Sequence, residues 1–80
     1  MAEKAYILIE VAVGTTKEVA GKLRALSGVL EVESLSGPYD IVAVITGQDL
    51  IAIGELVTGD IHSVLGIKRT ITCLCIGTTG

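Results

Sequence analysis

The stretch Val29–Gly47, "VLEVESLSGPYDIVAVITG", holds two strand-like runs joined by a Gly37-Pro38 turn, with no room between them for a helix. Val29 to Leu35 reads as a strand whose Glu31 and Glu33 share one face, and Tyr39 to Thr46 as a more apolar one. Two consecutive strands in mid-chain break a strict strand–helix alternation, so the flanking segments decide the topology.

Upstream, Lys4 to Val13 is rich in β-formers and closes at Gly14. "TTKEVAGKLRALSG" follows. Thr15 with Glu18 three residues on predicts a capping box. Val19, Leu23 and Leu26 recur at i, i+4, i+7, an amphipathic stripe, and Gly28 suits a left-handed helix end. Downstream, "GQDLIAIGELVTGD" predicts a second helix capped by Asp49, with Leu50, Ile53 and Val57 on one face and Gly59 ending or bending it. After a short "IHSVLG" connection, Ile67 to Ile76 reads as the last strand, and residues 77–80 as a loose tail.

The order is β-α-β-β-α-β, which predicts one α+β domain over residues 1–80: a ferredoxin-like, four-stranded antiparallel sheet with two helices on one face. The apolar first and third strands belong at its centre. Glu31, Glu33, Lys68 and Arg69 fall on the outer two, where charge blunts edge pairing.

Two helices cover only one face of such a sheet. Ile7, Ile9, Val11 and Val13 point one way; Tyr6, Leu8 and Ala12 point the other, interrupted by Glu10. On the third strand Ile41, Ala43 and Ile45 oppose Val42 and Val44. Both sides are mostly oily, so the uncovered one predicts a sheet-to-sheet homodimer.

Composition excludes several classes. Half of the residues are hydrophobic and net charge is −3, with no cluster of Lys or Arg, which argues against direct nucleic-acid binding. No apolar run approaches the roughly 20 residues of a membrane span, and the N-terminus reads as a strand, not a signal peptide. Cys73 and Cys75 form no metal-binding spacing with the single His62, and nothing implies a metal or organic cofactor. The cysteines are expected as free, buried structural thiols in a reducing cytoplasm.

Catalytic signals are thin. His62 has no nucleophile placed beside it by any motif and reads as solvated surface. Gly14-Thr15-Thr16 reads as simple capping. Glu10 reads as a pairing carboxylate or a pocket carboxylate, and Tyr6 as interface packing. Gly37, Tyr39 and Asp40, with Thr70 and Thr72 of "GIKRTITCLCIG", have the chemistry to hold a free amino acid. A glycine turn offers backbone groups, Asp40 an anion for the ammonium, and the threonines hydroxyl donors. On spacing alone, these residues read first as a turn anchor and as β-formers on an edge strand.

Over about Ala5 to Ile76, "SGPYDIVAVITG", "DLIAIGELVTGDIHSVLGI" and "GIKRTITCLCI" together resemble the effector-sensing (RAM) domain of Lrp/AsnC transcriptional regulators. The resemblance implies face-to-face dimers (a dimeric α+β barrel) that assemble further into octamers or decamers. It also implies amino-acid effectors bound between dimers near the loop joining the second and third strands. Carried over by position, Gly37, Tyr39, Asp40, Thr70 and Thr72 would line that site. Those regulators carry a helix-turn-helix, which this sequence lacks, so a stand-alone sensing module, not an enzyme, is expected, with full-length regulators as potential partners. The competing readings are a cofactor-free dimeric-barrel monooxygenase or isomerase, and an ACT-like regulatory module.

Overall fold

A computed structural model describes residues 2–77. The elements run β1 (Glu3–Val11), α1 (Thr16–Arg24), β2 (Val29–Ser34), β3 (Ile41–Gly47), α2 (Leu50–Glu55), which continues as a π-helical turn (Leu56–Ile61), and β4 (Ile67–Leu74). All strand pairs are antiparallel in the order β2-β3-β1-β4. The ferredoxin-like α+β fold therefore holds, with β1 and β3 central. Of the expected tail, residues 78–80 lie outside the described residues.

The core is aliphatic. Ala5, Ile7, Ile9 and Val11 of β1 and Ile41, Ala43 and Ile45 of β3 are buried against Val19, Ala20 and Leu23 of α1 and Ile53, Leu56, Val57 and Ile61 of the second helical segment. Among the described residues no helix is long and apolar enough to cross a membrane.

Several local expectations change. β1 stops at Val11, where its register with β4 shifts. Val13 is consequently fully exposed instead of joining the core face, and Ala12 lies beyond the strand. There is no capping box: the Thr15 hydroxyl donates back to the Ala12 carbonyl (2.7 Å), and Glu18 pairs with Lys22 one turn on (3.4 Å). α1 ends at Arg24, before Leu26; Gly28 does take a positive φ (+92°), but at the entry to β2 rather than at the helix end.

Asp49 does cap α2, its Oδ1 accepting the Ala52 amide at 2.8 Å. Leu50, however, is exposed, at 55%. Beyond Ile53 an α-helical stripe would centre on positions 56, 57 and 60, the last being Asp60, with position 61 at its edge. The π-helical turn adds one residue to the repeat. Ile61 is thereby buried and Asp60 exposed.

Strand register sets the uncovered face. One row runs Glu31, Val44, Tyr6, Cys73 and the next Glu33, Val42, Leu8, Ile71. Tyr6 is 42% and Ile71 39% exposed, whereas Val44 is buried within the protomer. Cys73 is exposed and Cys75 half-buried, both free, so burial of the thiols fails within one protomer. Cys73 sits on the open face because it is the cross-strand partner of Tyr6.

Candidate functional site

Asp40 closes the end of the sheet beside β1. β3 begins only at Ile41, so the ladder has no strand partner for the Val11 amide. The Asp40 carboxylate supplies one: its Oδ2 accepts the Val11 amide at 2.9 Å. Its backbone is fixed as well, with its amide donating to the Ile9 carbonyl (2.9 Å) and its carbonyl accepting from Leu35 (2.8 Å). A short acidic side chain in a turn is suited to standing in for a missing backbone acceptor. Asp40 is thus a structural anchor, with Oδ1 left without a protein hydrogen-bond donor among the described residues.

Tyr39 and Gly37 precede it in the β2–β3 loop, the tyrosine half-buried and the glycine exposed. The Arg69 guanidinium lies 5.7 Å from the Tyr39 ring centroid, within cation–π range. The same arginine faces Glu10 across the β1–β4 pair, Nε to Oε1 at 3.6 Å. Of the two readings of Glu10, pairing is the one observed, within the protomer. Glu10, Tyr39, Asp40 and Arg69 thereby form a charged corner next to the apolar open face.

Thr70 and Thr72 lie opposite Ile9 and Ile7, and therefore on the helix-facing side of β4. α1 packs mainly on β2, and α2 on β3 and β1. The inner side of β4 stays partly uncovered, with Thr70 half-buried and Thr72 exposed. His62, just past the π-helical turn, reaches Thr70, Nε2 to Oγ1 at 2.8 Å. It is exposed, as expected, but it is tied to a predicted site residue.

The five predicted residues therefore form two groups. Gly37, Tyr39 and Asp40 gather at the β2–β3 loop, while Thr70 and Thr72 line the inner side of an edge strand. Neither of the two best-formed hollows among the described residues is lined by any of the five. A groove of about 570 Å³ lies against Ala2, Thr46, Gly47 and Gln48, at the other end of β3 from Asp40. A smaller one of about 160 Å³ lies beside β2 against Arg24, Val29, Leu30, Glu31 and Val32. Arg69 and His62 were missed as candidates because each becomes relevant only through cross-strand register or loop geometry.

The Lrp/AsnC ligand binding domain model matches residues 4–79. No curated protein matches the chain. Among solved structures, TTHA0845 from Thermus thermophilus is 31% identical over 98% of this chain and 98% of its own, with a TM-score of 0.92. AsnC of E. coli superposes with a TM-score of 0.90 at 19% identity, covering 96% of this chain and 52% of that one. The transcriptional regulator NMB0573 of Neisseria meningitidis, in complex with L-Met, gives 0.86 at 19% identity, over 98% of this chain and 52% of that one. These last two bear on fold alone, and this chain spans about half their length.

Proposed function

This chain belongs to the Lrp/AsnC ligand-binding domain family, and on that premise we propose that it is an amino-acid-sensing, self-associating regulatory module. Its effector lies at a contact between subunits, against Gly37, Tyr39 and Asp40 of one chain and Thr70 and Thr72 of the same or a neighbouring chain. The observation that carries this reading is the division of the residues. Donors and acceptors suited to a zwitterion sit at two separate places on the protomer, the β2–β3 loop and the inner side of β4, and neither of the two best-formed hollows touches them, which favours a second chain enclosing the ligand. That the Neisseria regulator was crystallised with L-Met supports an amino acid as the ligand class.

Self-association is proposed through the open sheet face. Tyr6, Leu8, Ile71 and Cys73 form an apolar strip there that a facing sheet would remove from water. Dimers would assemble further, to octamers or decamers, creating the contacts that hold effector. In the reducing cytoplasm the module would also exchange subunits with full-length Lrp/AsnC regulators, altering their assemblies.

A thermal-shift screen against the twenty amino acids tests the ligand claim. Ligand at 100 times its Kd adds about 2.7 kcal/mol of stability. Asp40→Asn is the discriminating variant, because an amide oxygen still accepts the Val11 N–H while the negative charge is lost. A hit that Asp40→Asn weakens supports the site. A hit indifferent to it places the ligand elsewhere, and the absence of any hit defeats the reading.

A further inference from the structure

We infer that Arg69, held between Glu10 and Tyr39, is the group that takes the carboxylate of the bound amino acid, with the free oxygens of Glu10 and Asp40 facing its ammonium. This rests on the amino-acid-sensing reading and adds to it Arg69, which composition and spacing did not single out as a ligand group.

Three observations converge. First, the guanidinium is placed but not saturated. Glu10 approaches only its Nε edge, and at 3.6 Å the pair is looser than an N–H···O hydrogen bond of about 2.7–3.2 Å. Among the described residues no acceptor holds its two terminal amino groups. A fork with a free end is the geometry that binds a carboxylate through two parallel hydrogen bonds. Second, its position is biased although its side chain is 62% exposed: Tyr39 lies 5.7 Å away by its ring centroid, and β4 fixes the backbone beneath it. Third, acceptors flank it. Glu10 lies on the neighbouring strand, and Asp40 is bound to the residues either side of Glu10, through the Ile9 carbonyl and the Val11 amide.

The balance of charge selects the ligand class. Two carboxylates and one guanidinium disfavour a phosphate dianion and suit a ligand carrying one negative and one positive group. An α-amino acid presents those two groups on adjacent atoms.

The experiment compares, by calorimetry, the tightest-binding standard amino acid with the amine that lacks its carboxylate, on the full chain and its variants. Wild type should prefer the amino acid by about 10- to 100-fold, the range expected for charge-assisted hydrogen bonds. Arg69→Gln should erase most of that preference, Arg69→Lys should keep part of it, and the neighbouring Lys68→Gln should leave it unchanged. A purely structural role for Arg69 would weaken both ligands alike and leave their ratio intact. An intact ratio in Arg69→Gln therefore overturns the assignment, even while Asp40-dependent binding sustains the sensing reading. So does a loss of binding that sedimentation traces to broken subunit contacts. If wild type binds no amino acid, both fall.

Discussion

Asp40 carries two demands that substitution can separate. Its Oδ2 stands in for a missing strand partner by accepting the Val11 amide. Asp40→Ala leaves that part-buried donor unpaired, which should cost about 1–3 kcal/mol in chemical denaturation. Asp40→Asn should cost well under half of that, since the acceptor survives. If the two variants prove equally destabilising, charge and not the ladder contact is what the site needs. Gly66 makes a second test at this scale. It holds φ +104°, and an added Cβ would lie 2.9 Å from Val19 Cγ2 and 3.1 Å from Thr15 Oγ1. Gly66→Ala combines a left-handed backbone with that clash, and a loss of about 1–3 kcal/mol or more is expected from the same measurement. The anchoring role of Asp40 was legible in the sequence, because a short acidic side chain at a strand mouth after Gly-Pro is suited to tying down its own turn. Its hydrogen-bond partner was not: Val11 lies 29 positions away in sequence, and its amide lacks an acceptor on β3 only because β3 starts late.

Among the elements, the second helical segment separates pattern from geometry. Apolar periodicity located it and Asp49 announced its start, but a fixed period of 3.6 could not show where one residue is added. The consequence is measurable at adjacent positions. Ile61 is fully buried, so Ile61→Ala should lose about 2–5 kcal/mol. Asp60→Ala should change stability by no more than about 0.5 kcal/mol. An uninterrupted α-helix would turn Asp60 towards the core and move Ile61 to the edge of the stripe, so a costly Asp60→Ala with a mild Ile61→Ala would refute the widened turn. The two helix starts give a parallel contrast. Asp49→Ala removes a formed cap and should cost about 1 kcal/mol. Glu18→Gln loses only an exposed pair with Lys22 and should stay within about 0.5 kcal/mol. The Thr15–Glu18 spacing that suggests a capping box is sound as a local rule. Here the hydroxyl finds the nearer Ala12 carbonyl, released by the early end of β1. The strand order needed no such detail: two strands in succession, flanked by helices and charged outer strands, were enough.

At the scale of the molecule, the open sheet face decides whether one chain can suffice. Its rows place Tyr6, Leu8, Val42, Val44, Ile71 and Cys73 side by side, bordered by Glu31 and Glu33 on the β2 edge and by Arg69 towards β4. Val44 is already covered inside the protomer, so the driving force for the proposed association would come mainly from Tyr6, Leu8, Ile71 and Cys73. Ile71 is the most direct probe, because it lies on the edge strand, 39% exposed, and outside the core cluster. Ile71→Lys inserts a cation into the strip while leaving every helix-facing contact in place. The folded chain should survive, with unchanged far-ultraviolet circular dichroism. Sedimentation should then report a species near 8.3 kDa for the variant, against a larger assembly for wild type at the same micromolar concentration. Effector binding should be lost with the assembly, since the proposed residues meet around a ligand only when chains meet. A wild-type protein that sediments as a single 8.3 kDa chain and still binds an amino acid would show that one protomer completes its own site, and the division of Asp40 from Thr70 and Thr72 would then need a different explanation.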